Sequence, residues 1–263
     1  MGKGEPIATV GGGRPYGSAR GRWAHGRRLL AEAGFWETAE RLATYPHSPW
    51  VRFGWGPIVG VARRVAGTTQ FEGPQGPLRY EGTLGERTVE LAVAREFVAQ
   101  RRALGPILEV GNVLAHHVPF PHPVVDRYEP GDGILHVDVL EYRPSDPSPS
   151  IVSISTLEHV GFDETPRRVG RFRPALVHLF EQCLRPGGTM LVTVPLGYNP
   201  EVDDAVFSRA RELGKITIYR RHGLRNLWDR LVPSEWPKQS DVPPYSFRRH
   251  HASLVAIALA RRD

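Results

Sequence analysis

A mostly parallel α/β sheet covered by helices on both faces, preceded by a helical N-terminal appendage, is the fold this sequence predicts. Two observations carry the prediction. From Arg87 onward, short apolar runs of strand length alternate with helical stretches, the pattern of repeated strand–helix units. The chain is also 263 residues long with a hydrophobic fraction of 40%, enough for one substantial core.

Each element follows from its residues. Residues 1–28 are rich in Gly and Arg and are expected to form a flexible basic tail. Residues 29–79 are expected to form a helical appendage. Its helix, Leu29–Leu42, carries Leu30, Phe35, Trp36 and Leu42, an aromatic-rich stretch from Trp50 to Val61 follows, and Gly73–Pro77 is a Gly/Pro-rich connection. This appendage either packs its aromatics on the main domain or acts as a lid over a ligand cleft. The main domain spans residues 80–263 and opens with an amphipathic helix from Arg87, in which Val89, Val93 and Phe97 recur along one face. Gly105-Pro106 stops that helix, and Ile107–Gly111 reads as a buried strand. Further strands are expected at Val124–Val125, Ile134–Val139, Ile151–Ile154, Met190–Val194 and Ser253–Leu259. A helix at Pro174–Leu184 is ended by Arg185-Pro186-Gly187-Gly188.

Composition excludes several classes. The longest apolar stretch, Ala252–Ala260, is too short to span a bilayer. The first residues, MGKGEPIATVGGG, contain no apolar segment of signal-peptide length, and Pro6 stands where a myristoylation motif needs Ser or Thr. Cys183 is the single cysteine, which excludes disulfide frameworks and Cys-based zinc clusters. A cytoplasmic protein is the expectation. The formal net charge is +6, but Lys3, Arg14, Arg20, Arg22, Arg27 and Arg28 face only Glu5 in the tail, so nearly all the excess sits there. A solvated tail accounts for it without nucleic acid.

In an open parallel sheet, ligands bind beyond the carboxyl ends of the strands, where the strand order reverses. At the end of the domain's first strand, Gly111 lets backbone approach a ligand closely, and the helix expected next would offer free amides to an anionic group. A dinucleotide loop would read G-x-G-x-x-G. Here Val113 and His116 occupy the second and third glycine places, which argues against a pyrophosphate. Glu109 is placed to receive an ammonium group. Asp126 or Glu129, after the second strand, suits the hydroxyls of a ribose, and Asp138, after the third, an adenine amino group. An ammonium, a ribose and an adenine without phosphates describe S-adenosylmethionine.

Five segments, taken together and in order, resemble the successive motifs of class I S-adenosylmethionine-dependent methyltransferases: Ile107–Ala115 (ILEVGNVLA), Val124–Glu129 (VVDRYE), His136–Glu141 (HVDVLE), Ile151–Gly161 (IVSISTLEHVG) and Leu184–Gly197 (LRPGGTMLVTVPLG). The resemblance covers about residues 80–260. It extends to a subgroup with a Tyr-Glu-Gly-Thr-Leu-Gly-Glu-Arg run before the helix, here Tyr80–Arg87. It implies a Rossmann-like, seven-stranded, mostly parallel sheet with an antiparallel last strand, and S-adenosylmethionine as cofactor. By position it implies Glu109, Gly111 and Asn112 for the cofactor loop, Asp126 for the ribose, Asp138 for the adenine side, and Ser155 in the loop bordering the methyl donor. Only seven residues separate Asp126 from Ile134, too few for the usual intervening helix, which keeps Glu129 a rival to Asp126.

Reaction chemistry is expected in Ser155–Val160. A hydroxyl acceptor must lose its proton, and His159 is the candidate general base because imidazole titrates near neutral pH; the alternative is that it only fixes the loop. Glu158, Tyr198 and Asn199 are the candidate substrate contacts, and Arg167, Arg168, Arg171 and Arg173 form either a solvated loop or a site for an anionic acceptor. Some methyltransferases of this family hold a divalent cation through Glu-x-x-Glu-His at this place. Here Ser155 stands first, leaving Glu158 and His159, too few for a firm site, so no metal is expected. His116, His117 and His122 read as solvated or capping. The resulting expectation is an O-methyltransferase acting on a small molecule, such as a hydroxyl of a sugar or glycan intermediate or a specialised metabolite. No nucleic-acid or membrane partner is expected, and a homodimer is allowed. The alternatives are an RNA-directed methyltransferase using the basic tail, and a non-catalytic cofactor-binding partner protein.

Overall fold

A computed structural model of the chain describes residues 69–73, 77–80, 85–118, 120–129, 131–222, 227–245 and 252–263. The expected tail, the Leu29–Leu42 helix and the aromatic stretch lie outside these residues. All described residues except Thr69 belong to the compact unit that includes Gln70–Asp263. The end of the expected appendage is not helical: Thr69–Glu72 (β1) and Pro77–Tyr80 (β2) pair as a two-stranded sheet. The Gly/Pro-rich run expected to be a plain connection joins these two strands. Phe71 packs edge-on against Tyr219, with ring centroids 5.6 Å apart, and the Tyr219 hydroxyl donates to the Glu72 carbonyl at 3.0 Å.

The helix predicted from Arg87 is α1, Arg87–Arg101. The strands that follow are Ile107–Val110 (β3), Val124–Val125 (β4), Ile134–Leu135 (β5), Ser148–Ile154 (β6), Leu184–Pro195 (β7), Lys215–His222 (β8), Leu227–Leu231 (β9) and Leu254–Arg261 (β10). Between them lie Phe172–His178 (α2), continued by a π turn at Leu179–Cys183, and Pro200–Phe207 (α3). All eight strands from β3 on form one sheet in the order β5-β4-β3-β6-β7-β10-β8-β9. The pairs β5–β4, β4–β3, β3–β6 and β6–β7 are parallel, while β10 runs antiparallel to both β7 and β8. The antiparallel last strand is thus present, inserted between its neighbours, and β9 adds an eighth strand at the edge, antiparallel to β8.

Side-chain alternation assigns each strand residue to a face. Leu108, Val110, Ile151, Met190, Val192, Val194 and Ala256 join one core with Phe172 and Leu176 of α2 and Val202 and Val206 of α3. Ile107, Val152, Ile154, Leu191, Tyr219, Val255 and Ile257 join a second with Val89, Val93 and Phe97 of α1. The predicted face of α1 is therefore its core face. Burial of the strands on both sides explains their near-continuous apolar runs.

Three expectations are corrected. The third strand stops at Leu135, because the Val137 amide turns back to the Leu135 carbonyl at 3.0 Å and Asp138 accepts from the Leu140 amide at 3.0 Å. No α-helix follows Gly111: Leu114–His116 is a single 3-10 turn. The Arg185-Pro186-Gly187-Gly188 segment belongs to the start of β7, and helical structure ends before it, at Cys183.

Candidate active site

Strand order reverses between β3, which continues to β4 on one side, and β6 on the other, so the carboxyl ends of β3 and β6 flank the switch point. Gly111 sits there at φ +84, its amide donating to the Val125 carbonyl at 2.8 Å. A Cβ at this position would lie 2.0 Å from Thr156 Oγ1, so only glycine fits the left-handed backbone and the close approach of the β6 loop. The Asn112 amide donates to Asp126 Oδ2 at 3.1 Å, and the Asn112 side chain meets His116 Nε2 at 3.2 Å. Asn112 Oδ1 is buried without a hydrogen-bond partner among the described residues. His116 Nε2 in turn lies 2.7 Å from Glu129 Oε1, and this bond holds the imidazole pKa above its ordinary value against the opposing effect of burial.

The expected acids of this loop are largely engaged within the protein. Glu109 is fully buried; one oxygen accepts from the Leu114 amide, the other from the Ala115 amide at 3.1 Å and from His122 Nε2 at 2.6 Å. The amides expected to greet an anionic ligand are therefore taken by Glu109. These bonds shape the loop, and His122 is the buried partner of Glu109. Asp126 Oδ1 accepts from the Tyr128 and Glu129 amides, both at 2.8 Å, which replaces the missing helix with a tight turn. Asp138 is paired with Arg127 and Arg171 at 2.9 and 2.8 Å, so the carboxylate expected to face adenine is already neutralised. Arg127 also bridges to Glu164 at 2.9 Å, and Arg168 meets Glu164 at 3.1 Å. Arg167 lies over the Phe162 ring and Arg173 pairs with Glu212, so every arginine of that loop has a partner within the fold.

A second group converges where β6 and β7 end and α1 begins. Ser155 adopts φ 40, a conformation costly for a non-glycine residue. Its hydroxyl donates to Glu90 Oε1, which also accepts from Thr193 Oγ1 at 2.9 Å. Glu90 is fully buried and faces Arg87 at 3.1 Å, so it ties α1 to both strand ends. Ser155, expected at the cofactor, is occupied by this link. Beyond it, His159 Nδ1 lies 2.5 Å from Asp163 Oδ2, which accepts the Tyr198 hydroxyl at 2.6 Å. Burial opposes the charged imidazole, but the hydrogen bond to Asp163 and the neighbouring Glu158 and Asp163 charges outweigh it and raise the His159 pKa. Burial works in the opposite sense on Asp163, yet its bonds from His159 and Tyr198 leave its pKa lowered.

Glu158 completes the group. Its side chain is 1% exposed, against 47% for His159, and its Oε1 stands 3.6 Å from His159 Nε2. Neither carboxylate oxygen has a hydrogen-bond partner among the described residues. Burial, reinforced by Glu90, pushes its pKa up to about 7 despite His159 nearby. Glu86, just before α1, is raised to about 7 by burial and by Glu90, while it accepts from the Ala252 amide at 3.1 Å and the Tyr245 hydroxyl at 3.4 Å.

The structure thus brings Glu158, His159 and Tyr198 together and places Gly111, Asn112, Asp126 and Glu129 around the switch-point loop. Asn199 is not a surface contact: it is 1% exposed, caps α3 by accepting from the Glu201 amide at 3.0 Å, and donates to the Glu158 carbonyl at 2.8 Å. Glu86, Glu90, Asp163 and Tyr245 were not anticipated. Asp163 had a readable signal, its i+4 spacing from His159; the others meet the site only through tertiary packing. Among the described residues, no three His, Cys, Asp or Glu side chains converge as a metal ion would need.

No family model matches the chain, and no curated protein does. Among solved structures, the chain is similar to the N-methyltransferase NodS from Bradyrhizobium japonicum WM9 in complex with S-adenosyl-L-homocysteine, at 14% identity and a TM-score of 0.36 over 65% of this chain and 87% of that one. It is also similar to a methyltransferase from Thermotoga maritima described as a possible histamine N-methyltransferase, at 15% identity and a TM-score of 0.37 over 60% and 82% of the two chains. A third is the glycopeptide N-methyltransferase MtfA complexed with sinefungin, at 14% identity and a TM-score of 0.33 over 65% and 93%. Strand by strand, the order β5-β4-β3-β6-β7-β10-β8 with an antiparallel last strand is a Rossmann-like α/β fold, extended here by one edge strand.

Proposed function

We propose that this protein is an S-adenosylmethionine-dependent methyltransferase acting on a hydroxyl of a small molecule. The observation that supports this most strongly is the Tyr198–Asp163–His159 array beside the switch-point loop, an imidazole held by a carboxylate at the carboxyl end of β6. The loop suits the cofactor on two counts. Gly111 is forced to be glycine, and the buried Asn112 Oδ1 has no partner among the described residues, one that a ligand donor would supply. Asp126 Oδ2 keeps accepting capacity beyond its one bond to the Asn112 amide, and Glu129 is partly exposed, so a ribose has two carboxylates to meet.

When bound, S-adenosylmethionine supplies an electrophilic methyl group on a sulfonium. The chain's part is alignment and proton removal. Asp163 accepts the Nδ1 proton and so leaves Nε2 of His159 as the basic nitrogen, while Tyr198 holds Asp163 in place. A hydroxyl brought to Nε2 gives up its proton as the methyl group is transferred, a contribution of about 10²–10⁴-fold. Calorimetry with S-adenosylhomocysteine tests the reading: the protein should bind it, and Asp126→Ala or Glu129→Ala should weaken binding strongly. Absence of binding to the wild-type protein would refute it.

A further inference from the structure

We propose that the substrate carries a protonated amine beside its acceptor hydroxyl, and that the Glu158 carboxylate is the counter-charge that receives it; this rests on the methyl-transfer reading for the hydroxyl but not for the ammonium. Glu158 is buried to 1% exposure with both oxygens free of hydrogen bonds among the described residues, directly behind the half-exposed His159. A carboxylate in that state has about four unused acceptor sites, and a buried polar group without hydrogen bonds is costly. An ammonium group brings three donors and the opposite charge, whereas a neutral hydroxyl brings one donor and no charge.

Acidic groups outnumber cations among the described residues here: Glu86, Glu90, Glu158 and Asp163 face Arg87, Arg167 and the imidazole of His159, and Arg87 is directed to Glu90 at 3.1 Å. Burial holds the Glu158 pKa up at about 7, and a cation brought beside it favours the ionised form. Tyr198 gathers an aromatic cluster beside the pair, with His159, Tyr245 and Phe162 ring centroids 5.0, 5.3 and 5.4 Å from its own, and aromatic faces favour cations. His159 Nε2 and Glu158 Oε1 stand 3.6 Å apart, so a hydroxyl at the first and an ammonium at the second belong close together on one substrate, and the class proposed is an amino alcohol.

The experiment is a ligand-observed NMR titration of the full chain, with S-adenosylhomocysteine present, using trans-2-aminocyclohexanol and its neutral isostere trans-cyclohexane-1,2-diol. The amino alcohol should bind about 10–100-fold more tightly, and Glu158→Gln should abolish that preference. Equal binding of the two probes to the wild type, or an undiminished preference in Glu158→Gln, overturns the proposal. Should Glu158→Gln not fold, the wild-type preference must grow from about pH 6 to about pH 8 as Glu158 ionises through about 7, and a flat preference overturns the proposal equally. Preference without S-adenosylhomocysteine binding would sink the methyl-donor reading alone; binding without preference would sink the ammonium site alone.

Discussion

Asp163 Oδ2 lies 2.5 Å from His159 Nδ1 and accepts the Tyr198 hydroxyl at 2.6 Å, so one carboxylate oxygen fixes both an imidazole and a phenol ring. A carboxylate whose pKa is lowered accepts hydrogen bonds and donates none, which assigns the imidazole proton to Nδ1 and leaves Nε2 basic. The pair is held on a single turn, His159 at the end of the 3-10 segment Leu157–His159 and Asp163 four residues on. That segment starts directly after Thr156, which packs against Gly111, so His159 and the expected cofactor loop share one support.

His159→Ala should lower kcat by about 10²–10⁴-fold while leaving S-adenosylhomocysteine affinity within about twofold. Calorimetry and single-turnover rates measured on the same preparation separate the two effects. An equal loss of cofactor affinity would return His159 to a loop-fixing role.

Asp163→Asn should act through pH. His159 must be neutral to accept a proton, so the rate rises as pH climbs through its pKa, which stands above the ordinary value. Removing the Asp163 charge and bond lowers that pKa, moving the acid limb of the kcat profile to lower pH. The plateau should fall as well, because Asn no longer enforces the tautomer. A profile that keeps its midpoint would show that Asp163 does not govern His159.

Gly111→Ala places a methyl group 2.0 Å from Thr156 Oγ1 at φ +84. The left-handed backbone alone costs about 1–3 kcal/mol for a non-glycine residue, and displacement of the β6 loop adds to it. The melting temperature should fall, and S-adenosylhomocysteine binding should fall by more than the stability loss explains. A variant with wild-type affinity would place the cofactor elsewhere.

What the sequence made legible depended on the range of the interactions. The α1 stripe and the continuous apolar runs of β3, β6, β7 and β10 are local patterns and read directly. The hairpin of β8 and β9 was missed although Ile216, Ile218 and Leu231 alternate toward one core, because no motif drew attention to that stretch. In the site, Gly111 and His159 were readable by position, whereas the engagement of Glu109, Asp126 and Asp138 was not. A carboxylate at a strand end has the same sequence signature whether it meets a ligand, a backbone amide or an arginine. Glu90 bonds Ser155 and Thr193 across gaps of 65 and 103 residues, distances at which a single sequence carries no pairing signal.

Glu86 and Glu158 should make stability fall as pH rises. Both folded pKa values stand at about 7, above the 4.5 of an unperturbed side chain. Folding therefore favours the protonated forms; that contribution is full below about pH 4.5 and is lost as pH climbs through about 7. Glu158→Gln, which cannot ionise, should raise the melting temperature at about pH 8 and change it little at about pH 5, with a difference on the order of 1–3 kcal/mol. Thermal melts across that range decide it, and a pH-independent effect would place the Glu158 titration outside the folding equilibrium.

Asn199→Ala separates a cap from a substrate contact. The side chain is spent at both ends, accepting from the Glu201 amide and donating to the Glu158 carbonyl. Loss of an N-cap costs about 0.5–2 kcal/mol, and loss of the second bond frees the backbone that carries Glu158. Stability should drop by about that amount, and kcat should decline modestly through looser positioning of Glu158. The KM for a neutral acceptor should stay within about twofold, since no Asn199 atom is available to touch it, whereas the KM for an aminated acceptor should rise. A large KM change for both acceptors would mean that α3 opens in solution and exposes Asn199 to substrate.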